Sequence, residues 1–230
     1  MKYTILFVSF LSFSVLADAF FEAEFGEQSN HLTPVDYLSD EYDKRIAELL
    51  FLTSGDLGRF ISRPSFGLES CVSVYEETPE AKEKHGDSRI IQNSDRKYFI
   101  TVTRAVDSIW HSMSQSNEEK KTKQVEVTRI DREISSQLAI AIQRAWGRML
   151  QHTRYPSKTS LGLDGTTYQF SVWVKGFGDL HGETWTPDNG LPAEIVAIGE
   201  ALADFAESKT ANEEPLIKRL KEFESKIPKV

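Results

Sequence analysis

Three side chains that could carry chemistry alternate within one glycine-containing stretch of the sequence. Asp179, His181 and Glu183 are each separated by one residue, so an extended loop over residues 176–190 would direct all three to the same side. A carboxylate–imidazole–carboxylate cluster can bind zinc or another divalent cation, and it can also hold a histidine as a general base. Because such spacings are common by chance, we favour a structural loop and expect no metal. The alternative is a metal site formed by these three residues.

Two residues outside this stretch could complete a catalytic site. His152 follows the apolar face of a long predicted helix, and Asp164 lies in the turn before the clearest predicted strand. If that strand lies beside the helix, His152, Asp164 and His181 would share one end of the sheet. The candidate catalytic residues are therefore His181, Glu183, His152 and Asp164. A hydrogen-bonded histidine at the rim of the core is the simpler interpretation of His152.

Two tryptophans are candidates for contacts with a partner. Trp173 lies on the polar side of the predicted strand 167–175, so either another element covers that side or Trp173 anchors a partner. Because large exposed aromatic side chains are sparse on monomers, cover by another element is the simpler prediction for Trp173. Trp185 follows the glycine-containing stretch and is the second candidate.

The composition excludes several classes of protein. The chain has 230 residues, with 27 Lys+Arg against 35 Asp+Glu and a net charge of −8. This acidic balance argues against binding to nucleic acid, because phosphate contacts require a basic surface. A single cysteine, Cys71, can form neither an internal disulfide nor a structural zinc site, and its acidic neighbours favour a buried, unreactive thiol. We expect no cofactor.

The first residues have the pattern of a secretory signal peptide. Lys2 supplies a positive charge, residues 3–16 are uncharged and largely apolar, and Ala17-Asp18-Ala19 has small residues at both cleavage-site positions. The apolar run is shorter than the roughly 20 residues that a membrane-spanning helix needs. We predict cleavage after Ala19, or after Ala17, followed by export to the periplasm or the outside of the cell without a stable membrane anchor. An uncleaved N-terminal anchor is the alternative.

Hydrophobic periodicity predicts four helices in the mature chain. Ser39 or Asp40 caps the first, and the glycines and proline between residues 55 and 64 end it and open a loop. Thr128 or Asp131 caps the second and longest. The apolar stripes run from Tyr42 to Leu50, from Ile134 to Met149, from Ile195 to Phe205 and from Leu216 to Phe223.

Alternation and β-branched residues predict strands between these helices. The strand segments are Leu68–Glu77, Tyr98–Trp110, Gln124–Arg129 and Thr167–Lys175. The polar segments 78–97 and 114–123 are predicted as surface loops. We therefore predict a signal peptide over residues 1–19, an acidic arm over 20–38 and one α+β domain over 39–230. Its sheet would be mainly antiparallel, with about four strands and with helices packed on one face.

These patterns together predict an exported, soluble binding or interaction protein, of the envelope-accessory or toxin-inhibitor type. Its partner would be another exported or envelope protein. The alternative is a metal-dependent or His-assisted hydrolase that uses the stretch from Asp179 to Glu183. An enzyme would need a pocket in which these side chains meet a second cluster, such as His152 with Asp164, whereas a binding module would not. No Gly-x-Ser-x-Gly, P-loop or His-Glu-x-x-His motif is present, so we favour the binding module.

Overall fold

The computed structural model describes residues 30–35, 40–51, 56–77, 96–113, 125–156 and 164–229. In chain order the elements are α1 (Glu41–Leu50), β1 (Asp56–Pro64), β2 (Ser70–Glu77), β3 (Lys97–Ala105), β4 (Val127–Ile134), α2 (Ser136–Gln151), β5 (Thr166–Val174), β6 (Gly178–Trp185), α3 (Gly190–Glu207) and α4 (Glu214–Lys226). A short helical segment also covers residues 109–113. The predicted signal peptide, the arm apart from residues 30–35, and the two predicted surface loops apart from residues 96 and 97 lie outside the described residues.

The predicted α+β class is confirmed, but the sheet has six strands where about four were predicted. All neighbouring strands are antiparallel, and their order across the sheet is β4-β3-β2-β1-β5-β6. β1 pairs with both β2 and β5 near the centre, and β6 forms one edge. Both β1 and β6 come from segments that were predicted as loops, so those two predictions are wrong.

Glycines weaken the strand pattern of β1 and β6 in the sequence. Each of these glycines lies where a helix packs closely on the sheet. A Cβ atom at Gly58 would lie 2.8 Å from the indole of Trp146, and one at Gly182 would lie 2.8 Å from Leu150. Both of these neighbours belong to α2. Pro64 is the last residue of β1, a position where the missing amide is tolerated. A strand interior with glycine often marks such a close approach.

The boundary between β4 and α2 also differs from the prediction. Ser135 caps α2 by accepting a hydrogen bond from the Leu138 amide, whereas Thr128 or Asp131 was predicted. The chain from Thr128 to Ile134 is instead strand, and Asp131 accepts a hydrogen bond from Thr101 of β3. The predicted third strand is therefore displaced toward α2.

Helices α2 and α3 cover one side of the sheet, which we call the first face. α4 packs on these two helices, and the larger hydrophobic core is buried in this layer. The predicted apolar stripes of these three helices are buried, which confirms their orientation. Phe170 and Val172 of β5 also face this core, as the alternation in that strand predicts. None of the helices in the described ranges has the length and apolar character needed to cross a membrane.

α1 lies on the opposite side of the sheet, which we call the second face, so the prediction of helices on one face is wrong. Asp40 caps α1, as predicted. The smaller core on this face is formed by Tyr42, Ile46, Leu50, Ile61, Cys71, Ala105, Ile109 and Val125. Strands β1 to β3 present apolar residues on both faces, so the second face needs cover as well. Burial raises the pKa of the Cys71 thiol to about 12, which agrees with an unreactive cysteine.

The second predicted strand is shorter than its sequence pattern. β3 ends at Ala105, and Trp110 lies in the helical segment 109–113 on the second face. The ring of Trp110 packs edge-on against Tyr42 of α1, with 5.1 Å between ring centroids. This segment and α1 therefore support each other above strands β1 to β3.

Candidate functional site

β6 carries the three side chains with the clearest chemical potential. Asp179, His181 and Glu183 alternate along this strand and all lie on the second face, so the predicted common direction holds although the segment is a strand and not a loop. The residues opposite them on β5 are Trp173, Ser171 and Gln169 respectively.

The geometry of β6 gives no support to a metal site. Asp179 and Glu183 are four residues apart on the strand, about 13 Å between their Cα atoms, which is too far for both carboxylates to bind one ion beside His181. Glu183 instead accepts a hydrogen bond of 3.0 Å from Gln169 Nε2. Across the part of the chain that the structure describes, no group of three or more His, Cys, Asp or Glu side chains could hold a metal ion.

A groove of about 270 Å³ runs between α1 and the strands β1, β5 and β6. We call it the α1 groove. Phe51, Ile46 and Ile61 form apolar parts of its wall, and Arg59 and His181 supply polar groups. The groove therefore combines an apolar lining with a few polar side chains, as ligand and partner sites commonly do.

Arg59 is held firmly at the wall of the α1 groove. Its Nε and Nη2 atoms lie 2.8 and 2.6 Å from Oδ2 of Asp56, and its guanidinium stacks 3.8 Å from the ring centroid of Phe51. Burial raises the pKa of the Asp56 carboxyl, and the charge of Arg59 opposes that shift. The ion pair with Asp56 balances the charge of Arg59 and holds its guanidinium in one position.

His181 is half-buried between the α1 groove and the surface of β6. Burial lowers the pKa of its imidazole; Asp179 opposes this shift and Arg59 reinforces it. The neutral imidazole is therefore favoured over a wider range of pH than in an exposed histidine.

We expect His181 to make the protein less stable in acid. Its folded-state pKa lies below the ordinary value of 6.5, so the unfolded chain takes up the proton first. The stability contribution is complete above pH 6.5 and is lost as the pH falls from there through the folded-state pKa. Urea titrations at about pH 7.5 and about pH 5 should show a smaller acid loss for His181→Gln than for the wild type. Ser171→Ala, which alters the opposite residue without removing a titratable group, should keep the wild-type loss; equal losses in all three proteins would contradict this assignment.

The other two candidate catalytic residues lie away from His181. His152 forms the C-cap of α2, and its Nε2 lies 3.0 Å from the carbonyl oxygen of Pro228. The next residue, Thr153, packs against Gly182 on the first face, so the sheet separates His152 from His181. This arrangement is the hydrogen-bonded rim histidine that was the simpler prediction.

Asp164 is exposed and precedes the start of β5. His181 pairs with Ser171, which lies five residues beyond Thr166, so Asp164 is more than about 17 Å away along the strand. The structure therefore does not assemble His181, His152 and Asp164 into one site.

α1 packs over the β1–β3 side of the second face. On the β5–β6 side, Gln169, Ser171 and His181 line the α1 groove, whereas Trp173, Asp179 and Trp185 are exposed. We call this surface the open half. It is formed by Gln169, Ser171 and Trp173 of β5 and by Asp179, His181, Glu183 and Trp185 of β6.

Both candidate partner-binding tryptophans lie on the open half. Trp173 is 50% exposed and Trp185 is 40% exposed, so the predicted cover for Trp173 is not found among the described residues. Trp185 pairs with Thr167, six residues from Trp173, so the Cα atoms of the two tryptophans are about 20 Å apart along the strands, at opposite ends of the surface.

Comparison with protein-family models, with curated proteins and with solved structures gave no match for this chain.

Sequence patterns alone did not place Arg59, Ser171 and Gln169 near His181. Arg59 was hidden because residues 56–64 were predicted as a loop, although Phe60 and Ile61 face opposite sides as in a strand. Ser171 and Gln169 lay on a correctly predicted strand, but only pairing with β6 brings them beside His181. No local signal in the sequence specifies that pairing.

Proposed function

We propose that the protein is an exported binding module whose partner docks on the open half of the second face. The observation that carries this proposal is the pair of half-exposed indoles, Trp173 and Trp185, at the two ends of one continuous strand surface. Aromatic anchors dominate the binding energy of many interfaces, and polar side chains around them supply specificity. The polar centre of the open half, around His181, fits that arrangement.

The charge of the open half favours a partner with basic side chains. Asp179 and Glu183 place two carboxylates on β6, and burial favours the neutral form of His181 between them. The α1 groove borders this surface and offers an apolar recess for a protruding side chain of the partner.

The hydrolase alternative is not supported to the same degree. It required a pocket in which His181 meets a second cluster that includes His152 or Asp164. His152 lies across the sheet, and Asp164 lies beyond the far end of the strand that pairs with His181. A binding module needs no such convergence, so the geometry favours binding.

The signal-peptide pattern supports export, and we therefore propose an exported or envelope protein as the partner. N-terminal sequencing of the exported protein should begin at Phe20, or at Asp18 if the other cleavage site is used.

We expect the two tryptophans to be required for partner binding. The partner is identified by capture on the immobilised mature chain from the native envelope fraction, purified, and titrated by calorimetry. Trp173→Ala and Trp185→Ala should each weaken binding by about 2 kcal/mol, which is roughly thirtyfold in Kd. Ile140→Ala is the control, because Ile140 is 48% exposed but lies on α2. If the two tryptophan variants bound the partner as tightly as Ile140→Ala, the open half would not be the docking surface.

A further inference from the structure

The two edge strands of the sheet, β6 and β4, differ in the backbone pairing on their outer sides. On the outer side of β6, Thr33 exchanges two backbone hydrogen bonds with Glu183, at 2.8 and 2.7 Å, and the neighbouring Leu32 is fully buried. On the outer side of β4, none of the described residues pairs with the strand. An edge with unpaired amides and carbonyls is a template for another strand.

β4 has the geometry that pairing requires. It runs beside β3 in unbroken register from Ile134 to Val127, without a bulge or a proline. The Val106 amide donates to the Glu126 carbonyl, so even-numbered residues of β4 direct their backbone groups toward β3. The odd-numbered residues, Val127, Arg129, Asp131 and Glu133, therefore direct theirs outward.

The side chain of Arg132 fixes β4 to the helical layer behind it. Its guanidinium lies 3.8 Å from the ring centroid of Phe205 and donates to the carbonyl oxygens of Phe205, Ser208 and Ala211. These contacts hold the strand in place at the C-terminal end of α3. The edge is thus preorganised, which lowers the entropic cost of pairing.

We propose that β4 pairs antiparallel with β4 of a second copy of this chain, about a two-fold axis at Ile130. In this register Arg129 of each copy lies opposite Asp131 of the other, on the same face of the joined sheet. Ile130, which is 43% exposed, meets Ile130 of the second copy on the other face. The outward backbone groups form about eight hydrogen bonds between the copies.

Charge specifies this register over its neighbours. If the axis moves by one residue, Asp131 lies opposite Asp131, or Arg129 lies opposite Arg129. Like charges directly opposite each other are destabilising in a sheet. If the axis lay between two residues, odd-numbered residues of one copy would pair with even-numbered residues of the other. The first face of one copy would then continue into the second face of the other, because side chains alternate between faces along a strand.

This proposal is independent of the proposed function, because the open half lies at the opposite edge of the sheet. Pairing along one strand of each copy buries less surface than the roughly 1,200 Å² at the lower limit of stable interfaces. We therefore expect a dimer whose population rises with protein concentration.

Sedimentation velocity of the mature chain over about a hundredfold range of concentration tests the proposal. The wild type should shift from monomer to dimer. Arg129→Glu and Asp131→Arg each replace two attractive pairs with two repulsive ones, and each should weaken dimerisation by about tenfold or more. Ile140→Lys, on α2, should dimerise like the wild type.

An equimolar mixture of Arg129→Glu and Asp131→Arg provides the decisive measurement. In the mixed dimer every carboxylate at positions 129 and 131 faces a guanidinium, so association should return to the wild-type level. Circular dichroism of each variant checks that the fold is retained. A wild type that stays monomeric, single variants that dimerise normally, or a mixture that does not associate would each overturn the proposal. If the wild type stayed monomeric, a strand from a different protein would be the remaining candidate to pair with β4.

Discussion

Replacement of Glu69 by alanine should lower the free energy of unfolding by about 3–5 kcal/mol. The Glu69 side chain is fully buried and accepts hydrogen bonds from the Tyr42 hydroxyl at 2.9 Å and from the amides of Ile109 and Trp110 at 3.0 Å. It thereby ties β2 to α1 and to the start of the helical segment 109–113. Alanine would leave three donors without their acceptor in a buried setting, and urea unfolding at neutral pH measures the cost.

Two variants separate this role of Glu69 from a general effect of removing charge. Tyr42→Phe removes one of the three donors and should cost about 1 kcal/mol. Glu77→Ala changes an exposed glutamate at the other end of β2 and should stay within about 0.5 kcal/mol of the wild type. If Glu69→Ala were no more destabilising than Glu77→Ala, the three-donor arrangement would not contribute to stability. Burial, reinforced by Glu69, also raises the pKa of Tyr42 well above its ordinary range, so the tyrosine stays a donor.

Phe170→Ala should cost about 3–5 kcal/mol of stability. The Phe170 ring is 1% exposed, and its centroid lies 5.0 Å from that of Phe60 and 5.8 Å from that of Trp146. Because β1, β5 and α2 meet around this ring, the cavity left by its removal cannot close by a local shift of one element. Thermal or urea unfolding of the purified variant measures the loss.

The control for Phe170→Ala lies on the same strand. Trp173 points to the opposite face and is 50% exposed, so Trp173→Ala should change the stability by only about 0.5 kcal/mol. A larger loss at Trp173 than at Phe170 would reverse the assignment of the two faces. It would also show that Trp173 is a structural residue and is not available to a partner.

The two proposed binding surfaces lie on different parts of the sheet. The partner surface is the open half of the second face, and the contact between copies is the outer edge of β4. On the second face, α1 and the helical segment 109–113 cover the apolar half formed by β1 to β3, and among the described residues Trp173, Asp179 and Trp185 of the open half are exposed. At the β4 edge, where none of the described residues pairs with the strand, charged residues of both signs alternate, which suits pairing with an identical strand. A dimer formed there would place two copies of the open half in one assembly, and paired sites raise the apparent affinity for a repetitive partner.

The sequence alone determined the elements whose stability depends on their own periodicity. The stripe that includes Leu138 and Trp146 predicts α2 and its buried side, and the alternation of Phe170 with Trp173 predicts β5 and both of its faces. The N-cap of α1 was predicted at Ser39 or Asp40, and it lies at Asp40, whose side chain accepts from an amide three residues later. In each case the interacting groups are near neighbours along the chain, so the pattern is visible without a tertiary structure.

Only the tertiary structure decided where β1 and β6 lie and which side chains meet His181. Gly58 and Gly182 weaken the local strand pattern, yet both are required by side chains of α2 that are distant in the sequence. Likewise, the pairing of β5 with both β1 and β6 brings Arg59 and Ser171 beside His181 and leaves His152 on the other side of the sheet. Contacts between distant segments depend on how whole elements pack, and local sequence periodicity does not specify which elements pair.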